Sequence, residues 1–121
     1  MPGRLVNRAE ILIRQRRFRD ALDDCDRALT ISPDLPAAYA DRGAGLVGLE
    51  QYAQAVAALD RAIALGGTKL EIAYYNRGLA KDYEGDIAGA YRDYRKSLEL
   101  NPSFEPPKEQ LPRFRVRPGN P

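Results

Sequence analysis

Three features of the sequence predict an all-α solenoid of three stacked helical hairpins. The first is a pattern written three times: Leu5-x2-Arg8-Ala9-x2-Leu12, Tyr39-x2-Arg42-Gly43-x2-Leu46 and Tyr74-x2-Arg77-Gly78-x2-Lys81. Its arginines lie 34 and then 35 residues apart. At such a period, stacked two-helix units bury together a core that none could bury alone. The second feature is apolar spacing of three and four residues within a copy. The third is punctuation: Pro33, Pro36, Gly66-Gly67, Gly85 and Pro102 fall between the periodic stretches.

The first helix is expected over 3–15, carrying Leu5, Ala9 and Leu12. A break at Arg17-Phe18 separates it from a second over 18–31, with Ala21 and Cys25 as its small and large pair. Pro33 stops that helix and Pro36 starts the third, 36–49. Gln51-Tyr52 is the equivalent break before the fourth, 52–66, which holds Ala55 and Leu59. The joint Gly66-Gly67-Thr68 replaces a proline ending and adds one residue to the period. In the fifth helix, 71–84, Ile72, Tyr75, Leu79 and Tyr83 recur at helical spacing. Gly85-Asp86 ends it, and the sixth, 87–100, repeats the spacing with Ile87, Ala90, Tyr91, Tyr94 and Leu98.

Small residues at fixed columns carry the packing. Ala9, Gly43 and Gly78 facing Ala21, Ala55 and Ala90 let paired axes approach to about 8 Å. Ala28, Ala62 and Ser97 are expected to act likewise where one repeat meets the next. The organisation is one domain over 1–104, with repeats at about 2–35, 36–70 and 71–104, then a basic tail over 105–121. That tail holds too much proline for a helix.

Composition narrows the function. The 121 residues carry a net charge of only +2, which gives no electrostatic case for nucleic acid. The clusters Arg14 to Arg19 and Arg113 to Arg117 read as solvated faces. No apolar run approaches the roughly 20 residues of a membrane span. The first residues lack the apolar stretch of a secretory signal, so a cytoplasmic location is expected.

Histidine is absent, which removes the commonest general base and metal ligand. Cys25 sits in an apolar column and reads as a packed, inert thiol. The Gly66-Gly67 pair lacks the Lys-Ser/Thr of a phosphate loop, and Asp23, Asp24 and Asp26 read as a solvated helix face. No enzyme, no cofactor and no metal site are expected. The arginine column reads as a set of ion pairs to the second helices, with Asp24 and Asp93 as counter-charges in copies one and three.

In most columns the three copies fit the signature W-x2-L-G-x2-Y…A-x3-F…P, and the chain resembles the tetratricopeptide repeat family over 103 of its residues. The resemblance implies a right-handed superhelix whose concave face is lined by the first helix of each repeat. It also implies a scaffold that binds a peptide or helix of a partner protein. The groove columns then fall on Asn7 and Glu10 in copy one, and on Asp41 and Val47 in copy two. Copy three contributes Ile72, Tyr75, Asn76, Leu79, Asp82 and Tyr83.

Tyr75, Asn76, Leu79 and Tyr83 are the expected anchors, and Asp41 and Glu10 the selectors for a basic partner. Family members that grip the acidic C-termini of heat-shock chaperones use a Lys, Asn, Asn, Lys, Arg clamp. The matching positions here are Val6, Glu10, Asp41, Ile72 and Asn76, so none matches and two are acidic. That disfavours such a role.

Departures from the family pattern set further expectations. Lys81 stands in a column that is normally aromatic or Leu, and is expected to lie near the surface or turn its ammonium to solvent. Phe104, Leu111, Phe114 and Val116 are expected to cover the last helix or to occupy a groove in this or a neighbouring chain. The alternative reading is a structural or self-associating piece of a longer solenoid, a homo-oligomer built through the last helix or the tail.

Overall fold

The computed structural model describes residues 1–104 and Pro106. Six helices follow one another: α1 (Pro2–Arg14), α2 (Phe18–Ile31), α3 (Pro36–Gly48), α4 (Tyr52–Leu65), α5 (Leu70–Tyr83) and α6 (Ile87–Leu100). Every end lies within one residue of expectation, and no strand occurs among the described residues. Pro106 has helical backbone, so the expectation of a non-helical tail fails at that residue; the rest of that tail lies outside the described residues. No described helix is long and apolar enough to cross a membrane.

Each hairpin turns through a left-handed residue: Arg16 at φ 63°, Glu50 at 63° and Gly85 at 88°. The amide after each donates back to the carbonyl five residues earlier, as Arg17 to Leu12, Gln51 to Leu46 and Asp86 to Lys81. The left-handed residue's own amide reaches Ile13, Val47 or Asp82. This paired closure satisfies the last carbonyls of the helix. The expected alignment of Arg17 and Gln51 with Gly85 is therefore one residue late, because Arg16 and Glu50 hold that position without being glycine. Among the described residues Asp86 alone supplies a side-chain N-cap, accepting from the Gly89 amide at 2.9 Å.

Within each hairpin the two helices pack on each other; α2 also lies on α3 and α4 on α5. The first helices α1, α3 and α5 touch in series, with no comparable contact between successive second helices. The first helices therefore form the inner face and the second helices fan outward. A Cβ at Gly78 would lie 2.7 Å from the Tyr94 ring, and one at Gly43 would collide with Leu59. These are the close crossings that the small columns require. Leu59 and Tyr94 are fully buried there, each worth about 2–3 kcal/mol of transfer free energy.

Ala28 joins Val6 of α1 to Ala38 of α3, as expected for a residue seating the next repeat. Ser97 does something else: its hydroxyl donates to the Glu71 carbonyl at 2.6 Å, within its own hairpin.

The arginine column resolves into ion pairs. Arg8 grips Asp24 through Nε and Nη2 at 2.7 and 2.6 Å, and Arg77 grips Asp93 at 2.8 and 2.7 Å. Asp24 is buried, which corrects its reading as part of a solvated face; Asp23 and Asp26 are exposed. In copy two Ala58 stands where the aspartate would be, and Arg42 turns back to Asp26 of the preceding hairpin. Lys81 does not turn to solvent. Its ammonium lies 3.3 Å from Asp93, completing a triad with Arg77, because that carboxylate is the nearest relief from desolvation.

Candidate functional site

On the inner face, α1, α3, α5 and the glycine joint enclose a depression of about 130 Å³. Its floor is small: Ala37, Ala40 and Ala44 from α3 and Ala73 from α5. Alanine at these points leaves the helix backbones close to the surface of the hollow and makes room for a side chain entering from outside. Its polar groups are Glu10 from α1, Asp41 from α3, Asn76 from α5, and Thr68 and Lys69 from the joint, with Ile72 at the rim.

The inserted residue of the joint is what brings Lys69 here. Gly66 and Gly67 take φ of 79° and 121°, and Lys69 itself is left-handed at 56°. A Cβ on Gly67 would sit 3.0 Å from the Pro36 ring, so the close approach there also requires glycine.

Asp41 is the unusual member. Its Oδ2 is fully buried and has no hydrogen-bond partner among the described residues. Burial pushes its carboxyl up to about 7, the negative charge of Glu10 adds to the rise, and Lys69 opposes it. An unsatisfied buried oxygen of this kind costs free energy until something donates to it. Cys25, by contrast, is a buried thiol pushed up to about 12, chiefly by burial and then by Asp41 and Asp26; it is not nucleophilic.

Four of the ten expected groove residues, Glu10, Asp41, Ile72 and Asn76, meet in this hollow. The others are placed differently. Asn7 is exposed on α1. Val47 packs against the cluster of Leu46, Ala55, Ala58 and Ala80. Tyr75 lies against Tyr94 at 5.8 Å and meets the edge of Phe104 at 5.7 Å. Asp82 accepts from the Tyr94 hydroxyl at 3.3 Å. Tyr83 stacks on Tyr52 of α4 at 4.9 Å, on the side facing the preceding hairpin, although its other face is exposed. Leu79 is half-buried outside the hollow.

The aromatic end expected of the groove is thus largely engaged in the scaffold, and Phe104 begins to cover it. Leu111, Phe114 and Val116, the rest of that expectation, lie outside the described residues. Lys69 and Thr68 were not foreseen as lining residues. The one-residue lengthening of the joint was the only signal that pointed to them.

Comparison with known proteins agrees with this architecture. Models of the tetratricopeptide repeat match residues 9–73 and 72–104. The first tetratricopeptide domain of human RPAP3 is 24% identical and superposes with a TM-score of 0.85 over 93% of this chain and 88% of that one. The Arabidopsis OM64 domain is 21% identical, with a TM-score of 0.86 over 94% and 93%. The first such domain of Spaghetti (RPAP3), bound to the HSP90 peptide SRMEEVD, is 23% identical, with a TM-score of 0.83 over 93% of this chain and 88% of that one.

Among curated proteins, a DnaJ homolog subfamily C member 3 homolog of Dictyostelium discoideum is 31% identical over 99 residues. The match takes in 78% of this chain but spans only 20% of that protein. With more than half its length under one repeat model, three repeats in register and six helices at their expected places, the chain belongs to the tetratricopeptide repeat family.

Proposed function

We propose that this chain is a non-enzymatic protein-interaction module that receives a peptide or helix of a partner along the face formed by α1, α3 and α5. Within that face, the hollow around Asp41 and Glu10 takes a basic side chain. The observation that carries the reading is the buried, partnerless Oδ2 of Asp41 in an alanine-floored depression. An entering ammonium or guanidinium satisfies it with a charge-assisted hydrogen bond. Asn76 beside it offers both a donor and an acceptor to the partner's backbone.

The first domain of Spaghetti is bound to an HSP90 peptide, SRMEEVD, that has three carboxylate side chains, so the fold accommodates a peptide ligand. Here Glu10 and Asp41 outnumber Lys69 in the hollow, so it opposes a ligand of that charge and favours the opposite one. The chain's own net charge of +2 gives no general attraction for cations, so a preference for them is local.

Fluorescence anisotropy with two peptides of equal length, one carrying lysines and one glutamates at the same positions, tests this reading. The lysine peptide should bind more tightly, and Glu10→Gln/Asp41→Asn should remove the difference while the helical circular dichroism is kept. Equal binding of both peptides to the parent chain would sink the charge preference. A second reading, self-association through α6, is favoured by Ile87 and Leu100, both exposed on that helix. A light-scattering mass of one chain across a wide concentration range would dismiss it.

A further inference from the structure

Two columns of arginine reach back to the preceding hairpin. Arg42 pairs with Asp26, and Arg77 adds Asp60 through Nη1 at 2.9 Å to its grip on Asp93. Asp26 and Asp60 are 34 residues apart, one position of the second helix seen twice. In the other column, Arg61 of α4 reaches Asp34, in the loop before α3, at 3.1 Å and lies over the Tyr39 ring. The same columns in the first hairpin hold Arg8, Arg27 and Leu5.

These three residues line an open hollow of about 700 Å³ between the start of α1 and the end of α2, with Arg4 and Ile31 beside them. Among the described residues no carboxylate lines it, although Asp20, Asp23 and Asp24 share an adjoining hollow with Arg8 and Arg27. Arg8 spends Nε and Nη2 on Asp24, and its side chain remains 59% exposed where that of Arg77 is 17% exposed. The guanidiniums that take Asp26, Asp60 and Asp34 elsewhere therefore have counterparts at this end facing solvent around an apolar floor.

The interior contacts also limit what fits. Leu22 of α2 packs over Gly45 and Phe18 against Gly48. On α1 those two columns hold Ile11 and Arg14, too large to admit the same residues. Only the portion of such a segment from its aspartate onward can be repeated here. Within the chain that portion reads Asp26-x2-Leu29-x4-Asp34.

A second copy does not supply it. On α6 the position of Asp26 and Asp60 is Arg95, and end-to-end stacking would set Arg95 against Arg8.

We propose that this end face docks the last turn of a helix from another protein together with the loop that follows it, a carboxylate on the helix meeting Arg8, one eight residues later in the loop meeting Arg27, and an apolar side chain lying against Leu5 and Ile31. The site is separate from the inner groove and of opposite charge preference, so it does not depend on the reading given for that groove.

The test uses the whole chain, isotope-labelled, titrated by NMR with a peptide stapled as a helix through i+5 and free beyond it, which carries Asp at i and i+8 and Leu at i+3. A control peptide has Asn in place of both aspartates. Shifts should concentrate at Leu5, Thr30 and Ile31, and the Asn peptide should bind at least about fivefold more weakly. Arg27→Glu and, separately, Arg4→Glu should weaken binding with the helical spectrum intact; Arg4 lies on the exposed first turn, so its change leaves the core undisturbed. Shifts confined to the inner groove, no shifts, or equal affinity for both peptides overturn the proposal. A dimer dispersed by Arg27→Glu also overturns it, by making a second copy the occupant.

Discussion

Arg8, Arg42 and Arg77 show how one residue type can be scaffold in three settings. Asp93 is buried, and two cations meet it. The guanidinium of Arg77 is held above its ordinary value, first by its hydrogen bond to Asp93 and against the cost of its own burial. Removing it leaves a buried carboxylate with Lys81 as its remaining cation. We expect Arg77→Leu to cost about 3 kcal/mol in urea unfolding, near the lower end for breaking a buried pair because Lys81 stays. Arg8→Leu should cost less, since that guanidinium is more exposed. Groove affinity should be unchanged in both; a selective loss of binding with normal stability would overturn the structural role. The pairs to Asp24 and Asp93 were legible in the repeat columns. The pairs to Asp26 and Asp60 were not read, because an exposed aspartate on an outer helix leaves no apolar signature, and its 34-residue spacing falls one short of the 35 between Arg42 and Arg77.

The helices themselves were readable to within a residue because prolines and apolar periodicity act locally. What escaped was the register of the bends. Gly85 announces its left-handed conformation, but Arg16 and Glu50 adopt the same conformation with a Cβ that disfavours it. Nothing in those two side chains marks the position; only the backbone hydrogen bonds do. This yields a test at the level of the element. Glu50→Gly should stabilise the chain by about 0.5–1 kcal/mol, the relief of left-handed strain outweighing glycine's added freedom in the unfolded state. Calorimetry should then show the midpoint rising by about 2–5 °C. A lower midpoint would mean that the Glu50 side chain contributes something the bend geometry does not reveal. Gly85→Ala runs the same experiment in reverse and should destabilise.

At the scale of the whole molecule, the stacking of α1, α3 and α5 gathers Glu10, Asp41, Asn76 and Lys69 from three hairpins into one hollow. Sequence columns located three of these. They could not tell which aromatic residues of α5 the scaffold would absorb, because Tyr75 and Tyr83 find rings on other segments, Tyr94, Phe104 and Tyr52. Helical periodicity assigns a face but not the neighbour that will cover it.

The gathered acids make the groove sensitive to protons near neutrality. Asp41 titrates at about 7 in the folded chain, well above an ordinary aspartate, so between about pH 4 and 7 the folded state holds a proton that the unfolded state has lost. Stability must fall as pH rises through that window, and Asp41→Asn should lessen the fall. A cationic side chain entering the hollow favours the ionised carboxylate, so binding expels the proton. The affinity of a lysine peptide should therefore rise about tenfold from pH 6 to pH 8. Titration calorimetry at pH 6.5 in phosphate and in imidazole should give heats that differ with the buffer. Asp41→Asn should flatten both responses, while Glu10→Gln should lower the midpoint of the pH dependence, because the neighbouring charge is then gone. An affinity indifferent to pH, with the same heat in both buffers, would show that Asp41 does not face the ligand.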